Sequence, residues 1–224
     1  MGRDIAEQEL DKTQADKFRK IENYRNKNRC VKYGQIVCAG SSLMEMFPVE
    51  RFVEESGSDK IIYNRGIGGF ITEELKNTLD VCVLNLRPSR VFINIGTNDL
   101  SDPRIPMERI MSNYDEIISR IENEIPGVEI YLMAYYPVNF EAAAPEMKEC
   151  LKIRTNEKIN AANAEVKKLA EKHGQRYIDI NRGLKDGQNR LKAEYTIEGM
   201  HINEAGYRAI FDDFMEYVNE PSWK

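Results

Sequence analysis

The sequence predicts an α/β fold in which a mostly parallel β-sheet is covered by helices on both faces. Five short runs, rich in β-branched and aromatic residues, have the unbroken apolar character of strands buried on both sides: IVCA from Ile36, IIYN from Ile61, VFINI from Val91, EIYLMAYY from Glu129 and RYIDI from Arg176. Two of the gaps between them, residues 107–125 and 156–174, have helical periodicity. Strands that alternate with helices in this way indicate βαβ units with right-handed connections.

The size and composition indicate one globular domain. The chain has 224 residues, 42% of them hydrophobic and 31% charged, and a formal net charge of −5. Mild acidity without a Lys/Arg block argues against a nucleic-acid partner. No apolar stretch approaches the ~20 residues that cross a bilayer, and the start MGRDIAEQELDK lacks the apolar segment of a secretory signal, so we expect a cytoplasmic protein.

The cysteines give no sign of a metal site or a disulfide framework. Cys30, Cys38, Cys82 and Cys150 lie far apart in the sequence and form no CxxC pair. Free thiols are the expectation.

The N-terminal region differs from the rest of the chain. Residues 4–28 are dense in charge, with apolar positions spaced as in one or two amphipathic helices that end near residues 26–28: Ile5, Leu10, Phe18, Ile21 and Tyr24. We expect residues 1–33 to form a helical extension packed on the core of a main domain at 34–224. A dimerisation arm is the alternative, which leaves a homodimer open.

The first strand ends in a turn with two hydroxyls. Ligands of open parallel sheets bind outside the carboxyl ends of the strands, where Gly40-Ser41-Ser42 precedes a run of helix formers. Ser42 would lie at a helix N-terminus, where unpaired N–H groups and the helix dipole favour a developing negative charge. Alternatively, Ser41 or Ser42 merely caps the helix.

The next two strands also end in polar or glycine-rich loops. Gly66-Ile67-Gly68-Gly69 follows the second strand and would let backbone N–H groups approach a ligand, although a plain flexible turn explains the glycines equally well. After the third strand, Asn98 offers an amide donor and Asp99 a carboxylate. An Asx-type turn would explain either residue without chemistry.

His201 is the candidate general base. The chain has two histidines, and His173 fits the C-terminal end of a helix, where it would interact with the helix dipole. Glu198, three residues before His201, could hold the ring in the proton-accepting tautomer. Taken together with Ser42 and the donors after the other strands, this set has every group that acyl transfer needs.

These blocks resemble the SGNH, or GDSL-type, hydrolase family of esterases and lipases. The similar segments are IVCAGSSLMEMFP, NRGIGGFIT, INIGTNDL and EGMHINEAGY, which run from Ile36 to Tyr207. The resemblance implies a flavodoxin-like three-layer α/β/α sandwich with a five-stranded parallel sheet, and no metal or organic cofactor. It also implies roles for single residues: Ser42 resembles the nucleophile and an oxyanion-hole donor, Gly69 and Asn98 the other two donors, and His201 the base.

Two positions depart from the family pattern. Ser41 stands where the family commonly has Asp, as in GSS-bearing relatives of the platelet-activating-factor acetylhydrolase and carbohydrate-esterase type. Glu198 stands where the family usually has the Asp of a DxxH motif, so a turn adjustment must place its longer side chain. If it points away, a backbone carbonyl would have to orient His201.

The function predicted on this basis is a serine esterase or acylhydrolase. Its substrates would be short-chain esters, acetyl esters foremost, of a small molecule, sugar or lysolipid, because no long apolar lid segment is visible. The alternatives are an acyltransferase that uses the same site, or a non-catalytic ligand-binding protein with a flavodoxin-like fold.

Overall fold

The computed structural model describes the backbone of residues 2–224 and the side chains from residue 12 onward. Five strands form one parallel sheet in the order β2-β1-β3-β4-β5: β1 (Ile36–Gly40), β2 (Ile62–Gly66), β3 (Arg90–Asn94), β4 (Glu129–Met133) and β5 (Arg176–Ile178). Each strand overlaps one of the predicted apolar runs. The five-stranded parallel sheet is therefore confirmed, and its strand order is the flavodoxin-like one.

Helices fill the connections between the strands, and one helix precedes β1 and another follows β5. They are α1 (Gly2–Lys27), α2 (Ser42–Glu45), α3 (Val49–Glu55), α4 (Thr72–Asn77), α5 (Leu79–Cys82), α6 (Thr97–Leu100), α7 (Met107–Glu124), α8 (Lys148–Ile153), α9 (Asn156–Lys172) and α10 (Glu204–Asn219). The two long predicted helices correspond to α7 and α9. Thr155 caps α9 by accepting a hydrogen bond from the Lys158 N–H, and Gly174 follows its end with φ +60°, as the predicted stop signal requires.

Both faces of the sheet are covered, which makes three layers. Along β1, Val37 and Ala39 face the cluster formed with α7 and α9, whereas Ile36 and Cys38 face the cluster formed with α3 and α10. Alternate residues of a strand point to opposite faces, so a strand buried on both sides needs apolar residues at every position. This explains why the five runs in the sequence are continuous rather than alternating.

Strand order places the polar loops at one edge. The chain leaves β1 for β2 on one side and then returns to β3 on the other, so the direction of winding reverses between β1 and β3. Gly40 pairs with Gly66 on one side and with Asn94 on the other, which brings the ends of β1, β2 and β3 to the same level. The loops after these strands therefore surround the crevice where such sheets bind ligands.

The N-terminal helix α1 packs on the body of the protein through its second half. Ile21 and Tyr24 pack against the core, and the Tyr24 hydroxyl donates a hydrogen bond to the Gly66 carbonyl at 2.7 Å. Phe18, which the spacing predicted on the buried face, is instead 67% exposed. The side chains of Ile5 and Leu10 lie outside the described residues, and the division at residues 33 and 34 stays a prediction. No helix within residues 2–224 is both long and apolar enough to span a bilayer.

Candidate active site

Ser42, His201 and Glu198 form a continuous hydrogen-bonded chain. The Ser42 Oγ lies 2.9 Å from His201 Nε2, and His201 Nδ1 lies 2.5 Å from Glu198 Oε1. A carboxylate only accepts hydrogen bonds, so the Nδ1 carries a proton and donates it to Glu198. In the neutral ring the Nε2 lone pair then faces the serine hydroxyl, which is the arrangement of a proton acceptor.

The turn that carries His201 is shaped to let Glu198 reach the ring. The same Glu198 Oε1 also accepts the His201 backbone N–H at 3.1 Å, and Thr196 Oγ1 accepts the Gly199 N–H at 2.8 Å. Gly199 has φ +99°, a conformation that favours glycine, and a Cβ there would lie 2.7 Å from the Ala143 Cα. These features supply the turn adjustment that the longer glutamate side chain requires.

The two serines after β1 have different environments. Ser41 is the N-terminal flanking residue of α2, but its side chain makes no capping hydrogen bond and is buried. Ser42 is partly exposed and its hydroxyl meets His201, so capping does not account for it. Because α2 has four residues, the expected dipole effect reduces to the N–H groups of a single turn.

The loop after β2 turns tightly beside Ser42. Gly69 occupies the third position of a turn closed by the Phe70 N–H and the Ile67 carbonyl, and its φ of +76° is typical of a type II turn. The Gly68 N–H donates to Glu45 Oε2 at 2.7 Å. In the part of the chain that the structure describes, the N–H groups of Ser42 and Gly69 have no hydrogen-bond partner, so both can donate to a ligand.

Helix α1 supports this loop with two lysines. Lys20 Nζ pairs with Glu45 Oε1 at 2.8 Å, on the carboxylate that accepts the Gly68 N–H. Lys17 is 8% exposed, pairs with Glu74 and lies against Gly69, where a Cβ would be 3.2 Å from the Lys17 Cε. The sequence alone gives neither lysine a role at the site, because no local motif marks them.

Asn98 is held at both ends of its amide. Its Nδ2 donates to the Phe70 carbonyl at 2.9 Å, and its Oδ1 accepts from Arg154 Nη2 at 2.8 Å. An Asx-type turn therefore does not explain this residue. The contact with Phe70 joins the loop after β3 to the glycine turn after β2.

Asp99 lies behind the site and ties the same two loops together. It is buried and accepts hydrogen bonds from the Thr72 hydroxyl at 2.5 Å and from the Thr72 N–H. Burial raises the pKa of this carboxyl, although the Thr72 hydrogen bonds oppose the shift. Asp99 has neither an Asx turn nor a contact with His201, so its function here is structural.

The segment from Pro137 onward packs against the histidine turn. It contains α8, and its Asn139 N–H donates to the Gly199 carbonyl at 2.7 Å. Phe140 and Ile197 are exposed apolar side chains on these two segments. No group of three or more His, Cys, Asp or Glu side chains suited to a metal ion occurs among the side chains described from residue 12 onward.

A comparison with known families identifies the family of this chain. The model of the GDSL-like lipase/acylhydrolase family matches residues 45–209, about three quarters of the sequence. The chain belongs to the GDSL-like lipase/acylhydrolase family. The matched segment includes Gly69, Asn98, Glu198 and His201 and begins three residues after Ser42. The family is one of lipases and acylhydrolases, which agrees with the enzyme class that the sequence predicts.

Solved structures agree with the family assignment. A Streptococcus pneumonia protein named as a candidate platelet activating factor is 31% identical, with a TM-score of 0.85 over 96% of this chain and 98% of that one. A candidate acylhydrolase from Bacteroides fragilis, 22% identical, has a TM-score of 0.73 over 88% of this chain and 95% of that one, and shows the fold alone.

A curated relative is larger. The N-acylneuraminate cytidylyltransferase of Escherichia coli is 24% identical over 216 residues, which cover 95% of this chain and 47% of that protein. The chain thus spans about half the length of this relative. The activity named for the whole relative does not transfer to this GDSL-like chain.

Proposed function

We propose that this GDSL-like protein is a serine esterase that cleaves short-chain acyl esters, acetyl esters foremost, through an acyl-enzyme on Ser42. The observation that carries the proposal is the hydrogen-bonded chain from Ser42 Oγ through His201 to Glu198, with contacts of 2.9 and 2.5 Å. Geometry of this kind activates a serine hydroxyl that is a weak nucleophile on its own.

The mechanism follows from the atoms of the site. His201 Nε2 removes the Ser42 proton as Oγ attacks the ester carbonyl carbon, and the ring then gives that proton to the departing alkoxide. Water repeats the cycle on the acyl-serine and releases the acid. The proposed oxyanion donors are the N–H groups of Ser42 and Gly69 and the Asn98 side-chain amide.

Replacement of Ser42 by Ala tests the assignment of the nucleophile. We expect kcat for p-nitrophenyl acetate to fall by a factor on the order of 10⁵–10⁶, and fluorophosphonate labelling at this position to disappear. Asn98→Ala should cost less, about 2.7–4 kcal/mol in the barrier, because one oxyanion donor of three is lost. Ser41→Ala is the matched control, since the Ser41 hydroxyl makes no hydrogen bond in the described structure and should leave kcat near that of the wild type.

Equal turnover by the wild type and Ser42→Ala, with contaminating esterase removed, would contradict the proposal. An acyltransferase would instead transfer the acyl group to added alcohols faster than to water. A non-catalytic binding protein would show neither turnover nor labelling.

The substrate class needs a second measurement. We propose acetyl esters of sugars and of small lipids, because one relative is named for a sugar acid and another for a lipid mediator. The panel is p-nitrophenyl acetate, butyrate and octanoate, O-acetylated sugars including an O-acetyl N-acetylneuraminate, and platelet activating factor. A higher kcat/KM for the octanoate than for the acetate would contradict the short-chain preference.

A further inference from the structure

Arg154 is a buried cation whose hydrogen-bond partners in the described part of the chain are all uncharged. Its residue is 3% exposed, and its guanidinium donates to Ser101 Oγ at 2.7 Å and to Asn98 Oδ1 at 2.8 Å, while Nη1 contacts the Met200 sulfur. Among the side chains described from residue 12 onward, no carboxylate lies within ion-pair distance of it. Burial lowers the pKa of the guanidinium.

A buried charge of this kind opposes folding. Removal of an ion from water costs several kcal/mol even after relaxation of the protein, and an apolar side chain of similar volume would pack at the end of α8 without this cost. The hydrogen bonds of the guanidinium go to a hydroxyl, a thioether and an amide oxygen, and the buried Asp99 carboxyl attracts it from beyond ion-pair distance. Its position is therefore better explained by what it does to these neighbours than by stability.

The contact with Asn98 decides which way the amide points. A guanidinium only donates hydrogen bonds, so the amide end that faces it must be the oxygen. The reversed amide would place its NH₂ group against Arg154 and its oxygen against the Phe70 carbonyl, which is repulsive at both ends. With Oδ1 fixed, one Nδ2 hydrogen goes to the Phe70 carbonyl at 2.9 Å and the second remains available.

We infer that Arg154 is a positioning residue for ester hydrolysis: it locks the Asn98 amide with its free N–H toward the oxyanion and polarises that donor. The inference rests on the proposed role of Asn98. The guanidinium also touches Met200, the neighbour of His201, and so joins the loop after β3 to the turn that carries the base. Preorganised donors of this type stabilise a transition state because they need no rearrangement as charge develops.

A double-mutant cycle tests the route through Asn98. We expect Arg154→Met to lower kcat for p-nitrophenyl acetate at least 10-fold, with KM within about 2-fold of the wild type, because the loss falls on the transition state. In an Asn98→Ala background the same change should lower kcat less than about 2-fold. Arg154→Lys keeps the charge but loses the forked pair of N–H donors, so its kcat should lie between those of the wild type and Arg154→Met. Ser101→Ala is the control: it removes another partner of the guanidinium and should leave kcat within about 3-fold.

Thermal unfolding provides a second test of the contact if Arg154→Met folds too poorly for kinetic measurements. Asn98→Asp places a carboxylate against the guanidinium, so its effect on Tm should be more favourable with Arg154 than in an Arg154→Lys or Arg154→Met background. Equal effects in all backgrounds would overturn the inference. So would equal kcat losses from Arg154→Met with and without Asn98, which indicate a merely structural role.

The two proposals fail separately. If the wild type shows no hydrolysis that depends on Ser42, the proposed function fails while the Tm cycle still reports whether Arg154 and Asn98 are coupled. If hydrolysis depends on Ser42 but Arg154→Met retains the wild-type kcat, the proposed function stands and the positioning role of Arg154 is wrong.

Discussion

Glu198 reaches the His201 ring because the backbone between them is turned to receive a longer side chain. Its Oε1 accepts both the ring Nδ1–H and the His201 backbone N–H, and the two contacts fix the ring relative to the turn. An aspartate at this position would need the backbone about one C–C bond, roughly 1.5 Å, closer to the ring. Gly199, with φ +99°, lies so close to Ala143 that an added Cβ would be 2.7 Å from the Ala143 Cα, so the turn is tightly packed on that side.

Glu198 variants test this fit. Glu198→Asp should lower kcat about 10- to 100-fold, because the shorter carboxylate loses its contact with Nδ1. Glu198→Gln should lower it further, on the order of 10³- to 10⁴-fold, because an amide can donate to Nδ1 and so favour the tautomer that cannot accept the serine proton. Steady-state kinetics with p-nitrophenyl acetate measure both effects. Glu194→Gln, which changes an exposed carboxylate nearby, is the control. If Glu198→Gln keeps the wild-type kcat, another group orients His201.

Some site residues could be identified from their local sequence and others could not. Ser42, Gly69 and Asn98 lie close behind strand ends and His201 lies just before α10, each in a distinctive segment. Arg154 stands in KIRTNEK, where a lone arginine before a helix cap has no distinguishing feature. Its partner is 56 residues away in the chain, so only the packing of α8 against the loop after β3 reveals the contact.

At the scale of elements, the turn between the short 3₁₀ helix at residues 193–195 and α10 positions the base, and Gly199 is its critical position. Gly199→Ala would combine a φ of +99° with a Cβ 2.7 Å from the Ala143 Cα. We expect a loss of about 1–3 kcal/mol in the free energy of unfolding and a kcat reduced at least 10-fold, because Glu198 and His201 must move with the turn.

Gly187→Ala is the matched control for this prediction, since a Cβ there meets nothing within 4 Å. Urea unfolding and kinetics on the same samples compare the two variants. If Gly199→Ala unfolds like Gly187→Ala and keeps its kcat, the turn does not constrain the catalytic pair.

The accuracy of the sequence prediction differs between elements for physical reasons. The strands are predictable because burial on both faces leaves a continuous apolar run, and α7 and α9 because burial on one face leaves a periodic pattern. The exposure of Phe18 is not predictable in this way, because spacing shows which residues share a helix face but not how far along its length the helix covers the core. The contacts of Lys17 and Lys20 with the glycine turn were missed for the same reason, since charged residues on an amphipathic helix are expected to face water.

At the scale of the whole molecule, parallel strands bring together residues from most of the chain. Ser42 and His201 are 159 residues apart, and Asn98 and Arg154 are 56 apart. The paired ends of β1, β2 and β3 hold the contributing loops at one level, so the site depends on the fold as a unit. Conditions that alter global stability should therefore affect activity and unfolding together.

Two carboxyls give opposite contributions to the pH dependence of stability. Burial favours a higher pKa for Asp115, but hydrogen bonds from Lys172 and His173 outweigh it and the pKa is lowered. Below the ordinary aspartate pKa of 3.8 the unfolded chain then binds more protons, so this group stabilises the fold above that pH and its contribution is lost as pH falls. Burial raises the pKa of Asp99, so above 3.8 the folded chain binds more protons and stability from this group decreases as pH rises.

Urea unfolding of the wild type, Asp115→Asn and Asp99→Asn between pH 3 and 7 separates these contributions. Relative to the wild type, Asp115→Asn should lose stability at pH 7 and progressively less as the pH falls below 4, because the ion pairs with Lys172 and His173 are then already weakened by protonation. Asp99→Asn should show the opposite trend, with its most favourable difference from the wild type near pH 7, where the buried carboxylate is charged. Parallel curves for all three proteins would mean that neither carboxyl has a shifted pKa in the fold. If the pH dependence of stability changes only in Asp115→Asn, the effect arises at the contact between α7 and α9. Asp99, in the loops behind the active site, would then not be a buried charge.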